Sequence, residues 1–98
     1  MEKDFEFYRN IFERDTLLVE KLVDAEKIEL DMGLYQRWAI MGNFKDSYLS
    51  LSEQFGNAKA KLLELFRQKY GEETTYEELK GAVHKYRQQM EQNVQRNL

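Results

Sequence analysis

Residues Ala58 to Val83 read AKAKLLELFRQKYGEETTYEELKGAV, and this stretch decides the fold class. Leu62, Leu63, Phe66 and Tyr70 recur at helical spacing, while Lys61, Glu64, Arg67 and Gln68 fall on the other face, so the first half is an amphipathic helix. Gly71 ends it, because glycine takes the left-handed cap conformation at little cost. A second helix is signalled twice: Thr74 stands three before Glu77, and Thr75 three before Glu78. Either pair can form a capping box, the hydroxyl accepting one orphan amide and the glutamate reaching back to another. Leu79, Val83 and Tyr86 then restart the apolar stripe, and the stretch is a helical hairpin.

Working outward, the N-terminal segment predicts a helix from about Lys3 to Val23, with Phe5, Tyr8, Ile11, Phe12, Leu18, Val19 and Leu22 on its apolar side. Asp15 occupies a position that the stripe would make apolar. It can mark a break, be a buried polar group with a partner, or be a contact residue; the adjacent Thr16, a second capping-type residue, favours the break. Asp24 can cap a short segment, AEKIEL, and Asp31 the next, where Gly33 weakens continuity. Leu34, Tyr35, Trp38 and Met41 form a stripe that stops at Gly42-Asn43, and burial habits favour Trp38 as a core anchor over an exposed binding hot spot. Asp46 or Ser47 opens a helix with Tyr48, Leu49, Leu51 and Phe55, closed by Gly56, and Asn57 caps the helix after it. The expected architecture is one all-α domain over residues 1–98, a compact bundle of five to six short helices. Residues 90–98 extend it as a polar helical end. There Met90, Val94 and Leu98 continue at spacing four, either fraying or forming a thin apolar seam for another helix.

Thirteen aromatic residues in 98 argue for a real core, and the chain has no proline to break a helix. The absence of cysteine excludes disulfides, thiolate chemistry and zinc–cysteine sites. The N-terminus lacks an apolar leader core and no run approaches a membrane span, so a soluble, cytoplasmic protein is expected. Net charge is −3. Through Gly33 there are ten acids and five bases, and from Leu34 onward eight acids and ten bases. An acidic front and a basic back suit head-to-tail contact between copies or an oppositely charged partner, and equally an ordinary solvated surface.

The chemistry of a catalytic site is missing. His84 is the sole histidine and its sequence neighbours are cationic; an Glu-x-x-His metal pair would need glutamate where Gly81 stands. Glu72-Glu73 and Glu77-Glu78 lie in a turn and a first helical turn, where acids complement the helix dipole. No phosphate-binding glycine loop, Ser/His/Asp set or calcium loop occurs, so no enzyme, cofactor or metal is expected. Lys59, Lys61, Arg67 and Lys69 form the densest basic cluster, interleaved with Glu64 as on a solvated helix. Leu34–Gly56 offers a helix–turn–helix shape, but Lys45 is the only base on its second helix, which is poor equipment for nucleic acid.

The stretch from Lys59 to Val83 resembles the last two helices of the death-fold superfamily. Leu62, Leu63 and Phe66 match its Leu-Leu-x-x-Trp/Phe helix, and Thr75, Leu79 and Ala82 match its Thr-x-x-x-Leu-x-x-Ala opening. Trp38 and the MGNFKDSYL beyond it are similar to the death-domain tryptophan helix and its loop, and RDTLLVEKL resembles the kinked first helix of caspase-recruitment domains. The resemblance implies a non-enzymatic signalling adaptor that binds like domains through charged patches, sometimes building oligomers. Candidate contacts are then Arg14 and Asp15 on the first helix, Lys45 and Asp46 after Gly42, and Arg67, Lys69, Glu72 and Glu73 around the later corner. Two other readings stand beside it: a small helical regulator, of microbial or phage type, that binds and inhibits one protein, and a nucleic-acid-binding regulator.

Overall fold

A computed structural model of the chain describes residues 3–40, 42 and 44–96. They form four helices and no strand: α1 (Phe5–Arg14), α2 (Thr16–Ile40), α3 (Lys45–Tyr70) and α4 (Tyr76–Arg96). The all-α class holds, but the expected five to six short helices are replaced by four, two of which are 25 and 26 residues long. Neither Asp24 nor Asp31 interrupts α2, and Gly56-Asn57 does not interrupt α3. A capping residue ends a helix only where its neighbours leave helical geometry, and here the flanking Glu, Lys, Leu and Ala are strong helix formers. An internal glycine costs about 1 kcal/mol, too little to break a long helix whose one face is packed. Nothing lies within 4 Å of a Cβ built at Gly33 or Gly56. Gly33→Ala and Gly56→Ala are therefore each expected to raise stability by about 0.5–1 kcal/mol, read as a shift of the urea midpoint.

The other breaks fall where the residues put them. The Asp15 amide closes α1 by donating to the Ile11 carbonyl at 2.8 Å, and its carboxylate accepts from the Leu18 amide at 3.0 Å, opening α2. Gly71, at φ +65°, ends α3 with its amide on the Arg67 carbonyl. Thr75 then caps α4, its hydroxyl accepting from the Glu78 amide at 3.1 Å. The Glu78 side chain goes elsewhere, accepting from the hydroxyls of Tyr8 (2.9 Å) and Thr74 (3.1 Å), which ties α1 to this corner.

All four helices feed one core. Its fully buried members include Phe12 of α1, Leu18 and Leu22 of α2, Leu62 and Phe66 of α3, and Leu79 and Val83 of α4. α2 and α3 pair most extensively, as an antiparallel hairpin, and α1 packs chiefly on α4. The core is confined to one end of that hairpin. Among the described residues, every buried one on α2 lies between Leu18 and Ala25, and every one on α3 between Phe55 and Phe66. The other end projects. The chain accordingly measures 47 × 38 × 21 Å, with a radius of gyration of 15.9 Å where a compact chain of this length has about 13 Å.

Candidate interaction surface

The projecting end of the hairpin carries an unusual amount of apolar surface. Leu30, Leu34 and Trp38 follow one another at intervals of four, which stacks them along one side of α2. They are 69%, 58% and 45% exposed. α2 carries apolar side chains on two sides, with charged residues between them. Leu18, Leu22 and Ala25 are in the core and Ile28 and Met32 pack against it, yet Leu17, Leu30, Leu34 and Trp38 stay in solvent. A helix with apolar side chains on two opposite sides normally has both covered, and here one is left in solvent.

At the tip, Trp38 meets two other rings, with centroids 5.4 Å from Tyr35 and 5.3 Å from Phe44, and Tyr35 and Phe44 are themselves 5.7 Å apart. Trp38 is therefore not the core anchor its burial habit predicts. It lies past the last buried residue of α2, and its described aromatic neighbours are its own hairpin's rings. Phe44 is more unusual still. It precedes α3 at φ +65°, ψ +17°, the left-handed region that a bulky side chain rarely adopts, makes no side-chain cap, and is 53% exposed. Asparagine or glycine would sit there without the cost of about 1–2 kcal/mol, and burial does not recover it. Leu49, early in α3, is also half exposed. Met41 and Asn43 lie outside the described residues.

The charged candidates fall into three separate places. Lys45 and Asp46 are exposed in the first turn of α3, immediately after Phe44, so they flank the apolar tip. Arg67 and Glu73 border a shallow groove with Leu63, Glu64 and Thr74, and the neighbouring Glu72 is half-buried. Arg14, Asp15 and Lys69 meet at the α1–α2 corner. There the Asp15 carboxylate is taken up inside the chain: besides capping α2, it accepts from the Tyr70 hydroxyl and pairs with Lys69 Nζ at 3.1 Å. Burial alone would raise its pKa, but the bonds from Tyr70, Leu18 and Lys69 outweigh burial and hold it below the usual carboxylate range. Burial and the Asp15 charge push the Tyr70 phenol up to about 12. Arg14 is exposed and donates to the carbonyl of Asn10 on its own helix. Met90 and Val94 are 51% and 61% exposed on α4, and Leu98 lies outside the described residues.

Three polar contacts between α2 and α4 escape a reading of the sequence. Lys80 Nζ meets Glu29 at 2.7 Å, and His84 Nε2 meets Glu26 at 3.0 Å with Arg87 at 3.8 Å. The partners stand some fifty to sixty positions apart, with no local pattern to join them. They show His84 on the flank of α4 that faces α2. Among the described residues, no group of three or more His, Cys, Asp or Glu is placed to hold a metal ion, and no helix is long and apolar enough to cross a membrane. Compared with protein-family models, curated proteins and solved structures, the chain matches none.

Proposed function

We propose that this chain is a non-enzymatic protein-binding module, working in the cytoplasm, whose contact surface is the projecting end of the α2–α3 hairpin. The observation that carries this reading is the exposed row Leu30–Leu34–Trp38 with Phe44 at its end. Each such side chain, about half exposed, forgoes on the order of 1 kcal/mol of burial free energy, and a contiguous apolar patch on a small domain marks a place where something else binds. Phe44 supports it independently, because an exposed phenylalanine is held in a strained backbone conformation that a turn residue would relax. Tryptophan and other aromatics at the centre of a patch are the residues on which binding energy concentrates.

The charged-patch mode implied by the death-fold resemblance has less support. Its candidate residues are dispersed, and those at the α1–α2 corner are engaged within the chain. Leu62, Phe66, Leu79 and Ala82, which carry the resemblance, are core residues, and Thr75 is a helix cap. They hold a fold and leave the adaptor role to be carried by the hairpin.

Photo-crosslinking in cells tests the reading. A photoreactive phenylalanine at Leu34 or Leu49 is expected to give discrete adducts, with none from probes at the exposed Glu13 and Glu64 far from the tip. Phe44→Gly is expected to hold or raise the melting temperature while lowering adduct yield. Adducts from all four positions alike, or from none, would remove the hairpin as the working surface.

A further inference from the structure

We infer that the occupant of this surface is a second copy of the same chain, the two α2 helices crossing near Leu34 about a twofold axis. The inference rests on the hairpin being the working surface and names what covers it. Area is the first argument. Leu30, Leu34, Trp38 and Phe44, each about half exposed or more, leave on the order of 450 Å² of apolar surface at one end of the molecule. A stable interface of standard size buries about 800 Å² per partner, a little over half of it apolar, so the row is the size that a standard self-interface requires.

Charge separates this occupant from others. From Lys27 to Glu53 the hairpin carries three bases (Lys27, Arg37, Lys45) and four acids (Glu29, Asp31, Asp46, Glu53), and Glu29 is already bridged to Lys80. The remaining three and three cancel, so two copies meet without net repulsion. An anionic membrane or a nucleic acid would call for an excess of base, which this end of the molecule lacks.

Geometry supplies the third argument. Leu30 and Trp38 lie four residues either side of Leu34, so a twofold axis at Leu34 carries the leucine of one copy toward the tryptophan of the other, a small-against-large match. Rows at intervals of four are the ridges that pack helix on helix, at a crossing angle of about 50°. The core end of the hairpin is covered by α1 and α4, whereas the projecting end has only its own two helices, and a second hairpin supplies the missing layer.

The absence of native cysteine makes the test clean. A Leu34→Cys chain is expected to form a disulfide-linked dimer under mild oxidation, while Glu13→Cys and Glu64→Cys stay single. Light scattering on the unaltered full chain is expected to show mass doubling as concentration rises, with little response to salt. Leu34→Asp is expected to abolish the doubling with its helical circular dichroism unchanged. The mass of one chain at every concentration, with Leu34→Cys no faster to cross-link than the controls, would overturn the inference. So would salt-sensitive growth beyond a dimer, which points to charged patches. A monomer that sediments with phosphatidylserine vesicles only when Leu34 is intact would assign the row to a lipid surface and overturn both this inference and the protein-binding reading. Cellular adducts from Leu34 to a different protein would sink the second copy and leave that reading standing.

Discussion

Phe66→Ala is expected to destabilise the chain by about 3–5 kcal/mol, measured as the loss of unfolding free energy in urea at neutral pH. Phe66 is fully buried, and its ring joins α3 to α1 through Phe7 and Tyr8 at 6.4 and 6.1 Å, with Tyr70 of its own helix at 5.2 Å. Truncation removes the transfer free energy of the ring and leaves a void between α3 and α1, and one-ended packing gives little means of collapsing it. Small domains are stable by only about 5–15 kcal/mol, and this one confines its core to one end, so the variant is expected to be largely unfolded at physiological temperature. Leu34→Ala, compared at a chain concentration low enough to keep the protein single, is the matched control: an exposed residue removed, with an expected change within about 0.5 kcal/mol. Equal losses from the two variants would mean that the projecting end is as much a part of the folded core as Phe66.

The second large effect is expected at the α1–α2 corner. Asp15→Ala removes the cap on the Leu18 amide, worth about 1 kcal/mol, and leaves the half-buried Tyr70 hydroxyl without its acceptor, worth about 1–3 kcal/mol more. Lys69 adds little, since its end of the pair is solvated. The expected sum is about 2–4 kcal/mol, and a double-mutant cycle with Tyr70→Phe should show the two sites strongly coupled. The pH dependence has a definite sign. Asp15 and Glu78 both titrate below their ordinary range when folded, Asp15 because its hydrogen bonds outweigh burial, Glu78 through the bonds from Tyr8 and Thr74. Their contribution is complete above the unfolded carboxylate value, about 4, and is lost as pH falls through the depressed folded values. Tyr70 works from the other side: held up to about 12, it favours the folded state below its unfolded value and withdraws that support as pH climbs from about 10 toward 12. Asp15→Asn should therefore flatten the acid limb of the stability profile and Tyr70→Phe the alkaline one. Limbs unchanged in both variants would mean that the corner hydrogen bonds do not form in solution.

These two predictions lie at opposite ends of what a sequence can reveal. Gly71 as a stop, Thr75 as one of two candidate caps and Asp15 as a break were legible because each acts on backbone groups within four residues of itself. Leu62, Phe66, Leu79 and Val83 were legible as core because their spacing leaves one face to bury. The row of Leu34 and Trp38 was visible too, but its destination was not: a stripe says that a side of a helix is apolar, and only the reach of α1 and α4 decides whether that side is covered. The continuity of α2 and α3 was hidden for a related reason, since aspartate and glycine are compatible with both a helix end and a solvated helix interior, and packing against the partner helix tips the balance. The acceptor that Tyr70 and Lys69 share, and the glutamates that hold Lys80 and His84, come from residues half the chain away or more. By itself, the sequence of this protein determined the helical class, the breaks at Asp15 and Gly71 and which faces are apolar, all governed by local spacing and backbone chemistry. The tertiary structure alone decided which apolar face was left outside, because that depends on where one helix ends relative to another.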